Sequence, residues 1–294
     1  MLDYKGLEAL ATVIEVQGFE AAAKKLYLTQ SAISQRIKTL ESRYGTPLLI
    51  RAQPYQATEM GEQLLGHFKK VLLLENELVT QMEDSAQHAI FSIALSRDSL
   101  ETWFMSILSE HDLLDQSLIN IITNDQEITL PYLKKGLVSS CVTTSSESMS
   151  GCRSILLGYL NYVLVCSPTF QQHHFQHKQP HENFSTAPAL IFDTNDKLHE
   201  QYFKKYFDIN FPPPNYHTIP SVKGFKIFAL KGYGYGLIPR IDIKQELQNG
   251  SLIELYPEKP WKMPVYLHHW EIQTTIEKNI LTKLLTLSDH YLAQ

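Results

Sequence analysis

The sequence has few of the features that mark secreted or membrane-spanning proteins. It holds only three cysteines in 294 residues, Cys141, Cys152 and Cys166, and such a sparse, odd set is not a disulfide framework. No stretch approaches the roughly 18–20 apolar residues of a membrane-spanning helix. The first residues lack the basic-then-apolar arrangement of a signal peptide. A cytoplasmic protein is therefore expected.

Motifs of the common enzyme classes are also missing. The chain has no G-x-S-x-G elbow, Walker loop, dinucleotide fingerprint or paired metal-binding motif. Residues 231–239 (KGYGYGLIP) are rich in glycine, but they lead from a predicted helix into a strand, the reverse of a phosphate-binding loop. A helix C-cap and turn is the better interpretation. No enzymatic activity and no cofactor are expected.

The charge is divided unevenly along the chain. The formal net charge is −5, yet residues 1–58 hold seven basic and five acidic side chains and so carry +2. The rest of the chain must then carry −7. A length of 294 residues favours two or three compact units. This division suits a small unit that faces nucleic acid, attached to an acidic body.

Three helical patterns fill the basic segment. Apolar residues recur at helical spacing over 7–14, a second helix is predicted over 19–26, and a third runs from 30 to about 43. Thr29 is placed to cap the third helix. Residues 45–51 then read as a turn and an apolar strand, which is followed by a loop and the next helix. Three helices and a two-stranded wing make a winged helix-turn-helix.

The third helix has an apolar face, with Ile33, Ile37 and Leu40, and an opposite polar face. Glutamine and serine hydrogen-bond base edges, whereas lysine and arginine hold phosphates, so this helix suits the major groove. On the helix alone, a plain solvated face is an equally good explanation. The predicted DNA contacts are Thr29, Gln30, Ser31, Ser34, Gln35, Arg36, Lys38 and Arg51.

With the wing included, the sequence resembles the LysR-type transcriptional regulators. The matching residues are 19–26 (FEAAAKKL), 29–41 (TQSAISQRIKTLE), Gly45, 47–49 (PLL), Arg51, Thr58 and Gly61. The likeness extends to the arginine- and lysine-responsive ArgP-type branch, also described as chromosome-initiation inhibitors. Most of the family has arginine where this chain has Gln35. The branch usually has a basic residue near Gln56, so one phosphate contact is expected to be absent here.

The segment 58–86 reads as one long helix with apolar residues at alternating spacings of four and three. This pattern predicts a seam between paired helices. The seam is formed by Leu64, Phe68, Val71, Leu78 and Met82, and is broken by Glu75. A helix packed on its own domain is the alternative. The resemblance implies dimerisation through this helix, a homodimer or homotetramer on double-stranded operator DNA, and RNA polymerase as a further partner.

Beyond residue 89, strands and helices alternate, which predicts an α/β body with parallel sheets. The resemblance implies a periplasmic-binding-protein-like effector domain of two α/β subdomains, joined by crossover strands near Tyr159 and Met263. The predicted domains are a winged helix (1–58), a linker helix (59–88), and an effector domain (89–294) with subdomain I (89–160 and 264–294) and subdomain II (161–263). The predicted strands are 90–95, 118–123, 138–144, 160–166, 189–193, 216–219, 235–239, 252–255 and 265–269.

Ligands of open α/β sheets bind beyond the carboxyl ends of the strands. Serines at helix starts suit a carboxylate, and aspartates suit an ammonium, so the residues at these ends predict a basic amino acid, lysine or arginine, as effector. The predicted effector contacts are Ser96, Asp98, Ser99, Asp125, Thr143, Thr144, Asp193 and Ser221. Each serine or aspartate is also an ordinary helix N-cap, and this alternative stays open.

A second hypothesis keeps the DNA-binding head and makes the body a redox or metal sensor. His173, His174, His177 and His181 crowd one segment, and His173 and His177 have metal-compatible spacing if helical. The surrounding glutamines and lysines favour a solvated surface segment instead. Two of the cysteines, Cys141 and Cys166, lie in apolar strands, where buried thiols are the default.

Overall fold

The computed structural model describes residues 2–83, 90–114, 117–124, 129–176, 180–192, 197–210 and 212–292, without the side chains of 73 and 76–83. The head contains α1 (Tyr4–Glu15), α2 (Phe19–Lys25), α3 (Gln30–Tyr44), β1 (Leu49–Ile50) and β2 (Gln56–Ala57). The two strands pair antiparallel, Leu49 with Ala57 and Ile50 with Gln56. The predicted winged helix is confirmed.

Local chemistry sets the ends of the recognition helix. The Thr29 hydroxyl accepts a hydrogen bond from the Ala32 amide at 3.2 Å, and Gly45 ends the helix with φ of +66°, where glycine avoids the strain of a Cβ. The buried face of the helix, Ile33, Ile37 and Leu40, is fully inaccessible. It packs on α1, so the opposite face is left for solvent or DNA.

The helix α4 (Glu59–Glu83) follows the wing and is 25 residues long. Its first turn packs tightly, because a Cβ on Gly61 would collide with the Leu48 carbonyl oxygen. Phe68 is 5% exposed and lies in the core of the head beside Tyr4, with ring centroids 6.0 Å apart. The prediction that Phe68 belongs to an intermolecular seam is therefore wrong. Leu78 and Met82 lie outside the described side chains.

Nine strands and nine α-helices of the body follow in the described chain, and a 3-10 helix (Arg240–Ile243) precedes the last but one of these helices. The strands are β3 (Ile90–Leu95), β4 (Leu118–Thr123), β5 (Ser140–Thr143), β6 (Cys152–Cys166), β7 (Ala189–Ile191), β8 (Tyr216–Thr218), β9 (Gly236–Pro239), β10 (Ile253–Glu254) and β11 (Trp261–Trp270). The helices are α5 (Arg97–Ser99), α6 (Met105–Glu110), α7 (Thr129–Lys134), α8 (Pro168–His174), α9 (Pro180–Thr186), α10 (Lys197–Phe207), α11 (Val222–Leu230), α12 (Lys244–Gln248) and α13 (Thr275–Ser288), and a π-helical turn (Leu100–Phe104) joins α5 to α6.

The main sheet is mixed rather than parallel. Its order is β10-β6-β11-β5-β3-β4, with β9 also on β6, while β7 and β8 form a separate parallel pair. Within the main sheet only β3, β4 and β5 pair in parallel. Its other pairs all involve the long strands β6 or β11 and are antiparallel. The two α/β subdomains of the predicted fold class are confirmed, but one continuous sheet passes through both.

The crossover strand β11 pairs with β6 along its whole length, from Trp261 opposite Tyr162 to Trp270 opposite Cys152. Pro264 lies opposite Tyr159 and Met263 opposite Leu160, and the register shifts between Val265 and Tyr266. Gly158, the partner of Val265, has φ of +139°, a conformation that suits glycine. The irregularity therefore falls where the sequence predicts the crossings. No helix in the described part of the chain is long and apolar enough to cross a membrane.

Candidate DNA-binding face and effector cleft

The polar face of α3 is open to solvent. Gln30, Ser31, Gln35 and Lys38 are exposed, whereas Ser34 is half-buried. Thr29 holds the start of the helix, since its hydroxyl caps the Ala32 amide and lies 3.0 Å from the Ser31 hydroxyl. This face offers amide and hydroxyl groups near its N-terminus and one ammonium further along, the combination that reads bases and holds phosphates.

Two of the predicted phosphate contacts are also tied to acids within the head. The Arg36 guanidinium lies 3.9 Å from the Glu8 carboxylate. The Arg51 guanidinium donates to Glu41 at 3.0 Å, and it stands 5.7 Å from the centroid of the Phe19 ring. Half of the Arg51 side chain remains exposed. Both cations are thus oriented before any DNA is present.

Glu41 organises the wing, a role that the sequence reading did not assign. One carboxylate oxygen accepts the amides of Leu48 at 3.0 Å and Leu49 at 3.3 Å, and the other accepts Arg51. The α3 helix is thereby fixed to the first strand of the wing. The only signal in the sequence was the presence of Glu41 in the family motif.

Gln17 anchors the other side of the wing and was also missed. Its amide group donates to the Tyr55 carbonyl at 2.9 Å and accepts the Tyr55 amide at 2.7 Å. The residue adopts φ of +55° at the end of α1, which aims its side chain across to the wing. A single glutamine carries no pattern that could reveal this contact from sequence.

In the body, Ser96 and Thr143 lie at the same edge of the sheet. Ala94 pairs with Cys141 in the parallel ladder, so Ser96 and Thr143, each two residues further on, end adjacent strands. The buried Ser96 hydroxyl caps the Ser99 amide at 3.1 Å, and the Thr143 hydroxyl accepts the Ser145 amide at 3.3 Å. Thr144 is half-buried beside Thr143. Ser96, Ser99 and Thr143 are all buried, with 4%, 3% and 5% of their surface exposed.

Asp98 is held at this edge by a tyrosine from a crossover strand. The Tyr162 hydroxyl donates to the Asp98 carboxylate at 2.5 Å. Tyr162 is almost fully buried in the middle of β6, opposite Trp261 of β11. Asp98 is therefore linked to the segment that joins the two subdomains. Sequence reasoning missed Tyr162, which sits in an apolar strand and looked like core.

The two subdomains meet at this point, and we refer to their boundary here as the cleft. Arg97 reaches over the ring of Phe192, which follows β7, with 5.7 Å from the guanidinium carbon to the ring centroid. The ring centroids of Phe192 and Phe225 of α11 are 6.4 Å apart. Ser221 caps α11, because its hydroxyl accepts a hydrogen bond from the Gly224 amide at 3.0 Å. The structure thus brings the ends of β3 and β7 together, with the start of α11 beside them.

Two predicted acids, Asp125 and Asp193, lie outside the described residues. The chain before each one is described. The Asn124 amide donates to the Leu95 carbonyl at 3.4 Å, so the end of β4 adjoins the end of β3. Phe192 borders the cleft directly.

The buried thiols do not have the chemistry of redox sensors. Burial raises the pKa of Cys152 to about 11 and that of Cys166 to about 12, and it raises the pKa of Cys141 as well. At neutral pH these groups remain unreactive thiols. Within the described ranges no group of three potential ligands could hold a metal ion, and His177 lies outside those ranges. The redox or metal alternative is not favoured.

Comparisons with known proteins agree with this architecture. Residues 4–62 match the family described as "Bacterial regulatory helix-turn-helix protein, lysR family", and residues 88–270 match the "LysR substrate binding domain". The HTH-type transcriptional regulator ArgP of Vibrio vulnificus (strain CMCP6) is 35% identical over 295 residues, which cover 100% of this chain and 99% of that protein.

Two solved structures superimpose over the full length of both chains. ArgP from Mycobacterium tuberculosis has a TM-score of 0.90 at 30% identity. Full-length LysG from Corynebacterium glutamicum, with bound effector Arg, has a TM-score of 0.84 at 26% identity. The family consists of regulators rather than enzymes. With both domains matched and a relative of this identity spanning the whole sequence, the chain belongs to the LysR family of DNA-binding transcriptional regulators and is similar to its ArgP members.

Proposed function

We propose that this regulator responds to a basic amino acid, lysine or arginine, bound in the cleft between the two subdomains. The observation that carries the binding of an amino acid is the carboxylate of Asp98, a partner for an ammonium group, which Tyr162 fixes at the edge where the subdomains meet. The similarity to LysG with bound arginine supports the same effector class.

The chemistry of the cleft suits such a ligand. A cationic group leaves water at tolerable cost only beside a carboxylate, and Asp98 supplies one. Hydroxyl groups of Ser96, Thr143 and Thr144 lie at the same sheet edge and can accept or donate further hydrogen bonds. Ser221 belongs to the opposite wall. Asp125 and Asp193 remain predicted contacts. Ser99 stabilises the turn at Ser96, because its amide donates to the Ser96 hydroxyl.

On DNA, we infer that Gln30, Ser31, Ser34 and Gln35 read base edges from the start of α3. Lys38, Arg36 and Arg51 hold phosphates, and Thr29 orients the helix tip. Support comes from the exposure of the polar face and from the ion pairs that hold Arg36 and Arg51 in place. The wing residue Gln56 is exposed and uncharged, in line with one fewer phosphate contact.

The regulator is proposed to act as a homodimer, or as a tetramer of paired dimers, with RNA polymerase as its partner at the promoter. A helix-turn-helix reads two half-sites when it is dimeric. Within the described part of α4, Leu72 and Leu74 are 38% and 37% exposed. They lie on different sides of the helix, and each offers an apolar side chain to a second copy. Sedimentation of a Leu72→Lys, Leu74→Lys variant tests this, with a dissociated protein as the expected result.

Calorimetry of arginine and lysine with the full-length protein tests the effector proposal. The wild-type protein is expected to bind at least one of them, and Asp98→Asn is expected to lose most of that affinity. Asparagine has nearly the size of aspartate but no charge, so the fold should persist. Removing one partner of a buried ionic contact typically costs about 3–5 kcal/mol.

The matched control is Asp208→Asn. Asp208 is an exposed acid that pairs with Lys204 at the end of α10, and its φ of +54° is one that asparagine tolerates. This variant should bind the effector as the wild type does. A wild-type protein that binds neither amino acid, or an Asp98→Asn variant with unchanged affinity, contradicts the proposal.

A further inference from the structure

Arg97 stands at the mouth of the effector cleft, between Ser96 and Asp98. Its side chain leaves subdomain I and lies over the Phe192 ring of subdomain II, 5.7 Å from the centroid. The residue is exposed. It is therefore a cation that contacts both subdomains beside two of the predicted effector contacts, Ser96 and Asp98.

The guanidinium has no acidic partner in the described part of the chain. The other cleft-side charge, on Asp98, is engaged by the Tyr162 hydroxyl rather than by its neighbour Arg97. The face of an aromatic ring holds an exposed guanidinium only weakly, and it leaves the N–H groups around the edge of the guanidinium free to donate. Those N–H groups form a planar fork that matches a carboxylate with two parallel hydrogen bonds.

We propose that Arg97 binds the α-carboxylate of the effector and that Asp98 binds its α-ammonium. The two side chains are adjacent and of opposite charge, as are the two groups on the α-carbon of an amino acid. This assignment rests on the proposed function and refines it. Arg97 and Asp98 read the amino-acid backbone, and the basic side chain of the effector points away from Arg97, which would repel it.

This arrangement predicts a specific selectivity. An amine that lacks the carboxylate, such as agmatine in place of arginine or cadaverine in place of lysine, would bring only positive charge to Arg97. Binding would then lose the ion pair and add repulsion. The regulator should therefore distinguish amino acids from their decarboxylated products, although both carry the same basic side chain.

The test is a calorimetric comparison of arginine with agmatine, using the full-length wild type and Arg97→Gln. The wild type is expected to prefer arginine by at least tenfold. Arg97→Gln should bind arginine at least tenfold more weakly and agmatine as well as before or better, so that the preference disappears. Arg97→Lys keeps the charge without the fork and should give an intermediate preference.

Arg153→Gln is the matched control, since Arg153 is an exposed arginine elsewhere in the effector domain. It should leave both affinities unchanged. A preference for arginine that survives in Arg97→Gln overturns the role of Arg97 and leaves the proposed function intact. A wild-type protein that binds no basic amino acid overturns both, and one that binds arginine and agmatine equally overturns the Arg97 assignment alone.

Discussion

The contact of Glu41 with the wing allows a quantitative prediction about the DNA-binding head. Glu41→Ala removes the acceptor of three hydrogen bonds: two from the backbone amides of Leu48 and Leu49, and one from Arg51. The Glu41 side chain is 16% exposed, whereas that of Arg51 is 48% exposed. Most of the loss in free energy of unfolding should therefore come from the hydrogen bonds of the two amides.

The magnitude follows from these exposures. Hydrogen bonds to a charged group contribute about 1.5–3 kcal/mol each when well shielded, and an exposed ion pair contributes about 0–1 kcal/mol. Water can reach part of this site in the alanine variant, so we expect Glu41→Ala to destabilise the head by about 2–4 kcal/mol. Glu41→Gln keeps a neutral acceptor and should cost about 1 kcal/mol. Arg51→Ala should cost less than about 1 kcal/mol.

Hydrogen exchange measured on the full-length protein reports on the head separately from the body. In Glu41→Ala, the amides of Leu48 and Leu49 should exchange faster before any others do. The free energy of opening at the amides of the buried face of α3 should fall by the same 2–4 kcal/mol. Equal effects of Glu41→Ala and Arg51→Ala would mean that the exposed ion pair, and not the backbone contact, holds the wing, which would refute this reasoning.

Three further outcomes are expected. Gln35→Ala should reduce the preference for operator over scrambled duplex by about 1–3 kcal/mol. Lys38→Ala should weaken binding to both duplexes and lower the slope of log affinity against log salt concentration by about one. Fluorescence anisotropy with the two duplexes measures both effects. Phe68→Lys should unfold the head, as seen by circular dichroism, because Phe68 is core, while Leu72→Lys should leave it folded. Burial lowers the pKa of His268. The unfolded chain therefore takes up a proton more readily than the folded chain, and the effector domain should lose stability as pH falls below about 6.5. The loss should be smaller in His268→Gln. Equal midpoints of urea unfolding at pH 7 and pH 5 would contradict this.

The elements with strong local signals were predictable from sequence. The strands β3 and β4 agree residue for residue with the predicted 90–95 and 118–123, since each is a mostly apolar run followed by a polar residue. The cap at Thr29 and the glycine end of α3 follow from residue chemistry in the same way. In these places the local sequence and the tertiary structure favour the same conformation.

Other elements depend on partners that are distant in sequence. The strand β6 is about twice the length predicted, because its first half is defined by pairing with β11 and not by an apolar run. The short helices α8 and α9 begin at Pro168 and Pro180 in polar sequence and were not predicted. Phe68 shows a further limit, since spacing of four and three fits a core-facing stripe as well as an intermolecular seam.

The residues of the effector cleft were predictable from sequence only in part. Ser96, Asp98 and Thr143 follow predicted strands, and the general rule for ligand sites in α/β sheets was enough to select them. The contact of Arg97 with Phe192, and that of Tyr162 with Asp98, join segments from opposite parts of the chain. No local pattern marks such pairs, so only the fold could reveal them.

The central claim is that the head binds operator DNA, that the body binds a basic amino acid, and that the two binding events are coupled. Thermodynamic linkage makes the claim measurable, because an effector that changes operator affinity by some factor must have its own affinity changed by the same factor when operator is bound. The direct test is to titrate the full-length protein with operator in the presence and absence of saturating arginine or lysine, and with each amino acid in the presence and absence of saturating operator. We predict that at least one of the two amino acids changes operator affinity, and that operator changes the affinity for that amino acid by the same factor. Operator binding that is indifferent to both amino acids would contradict the account.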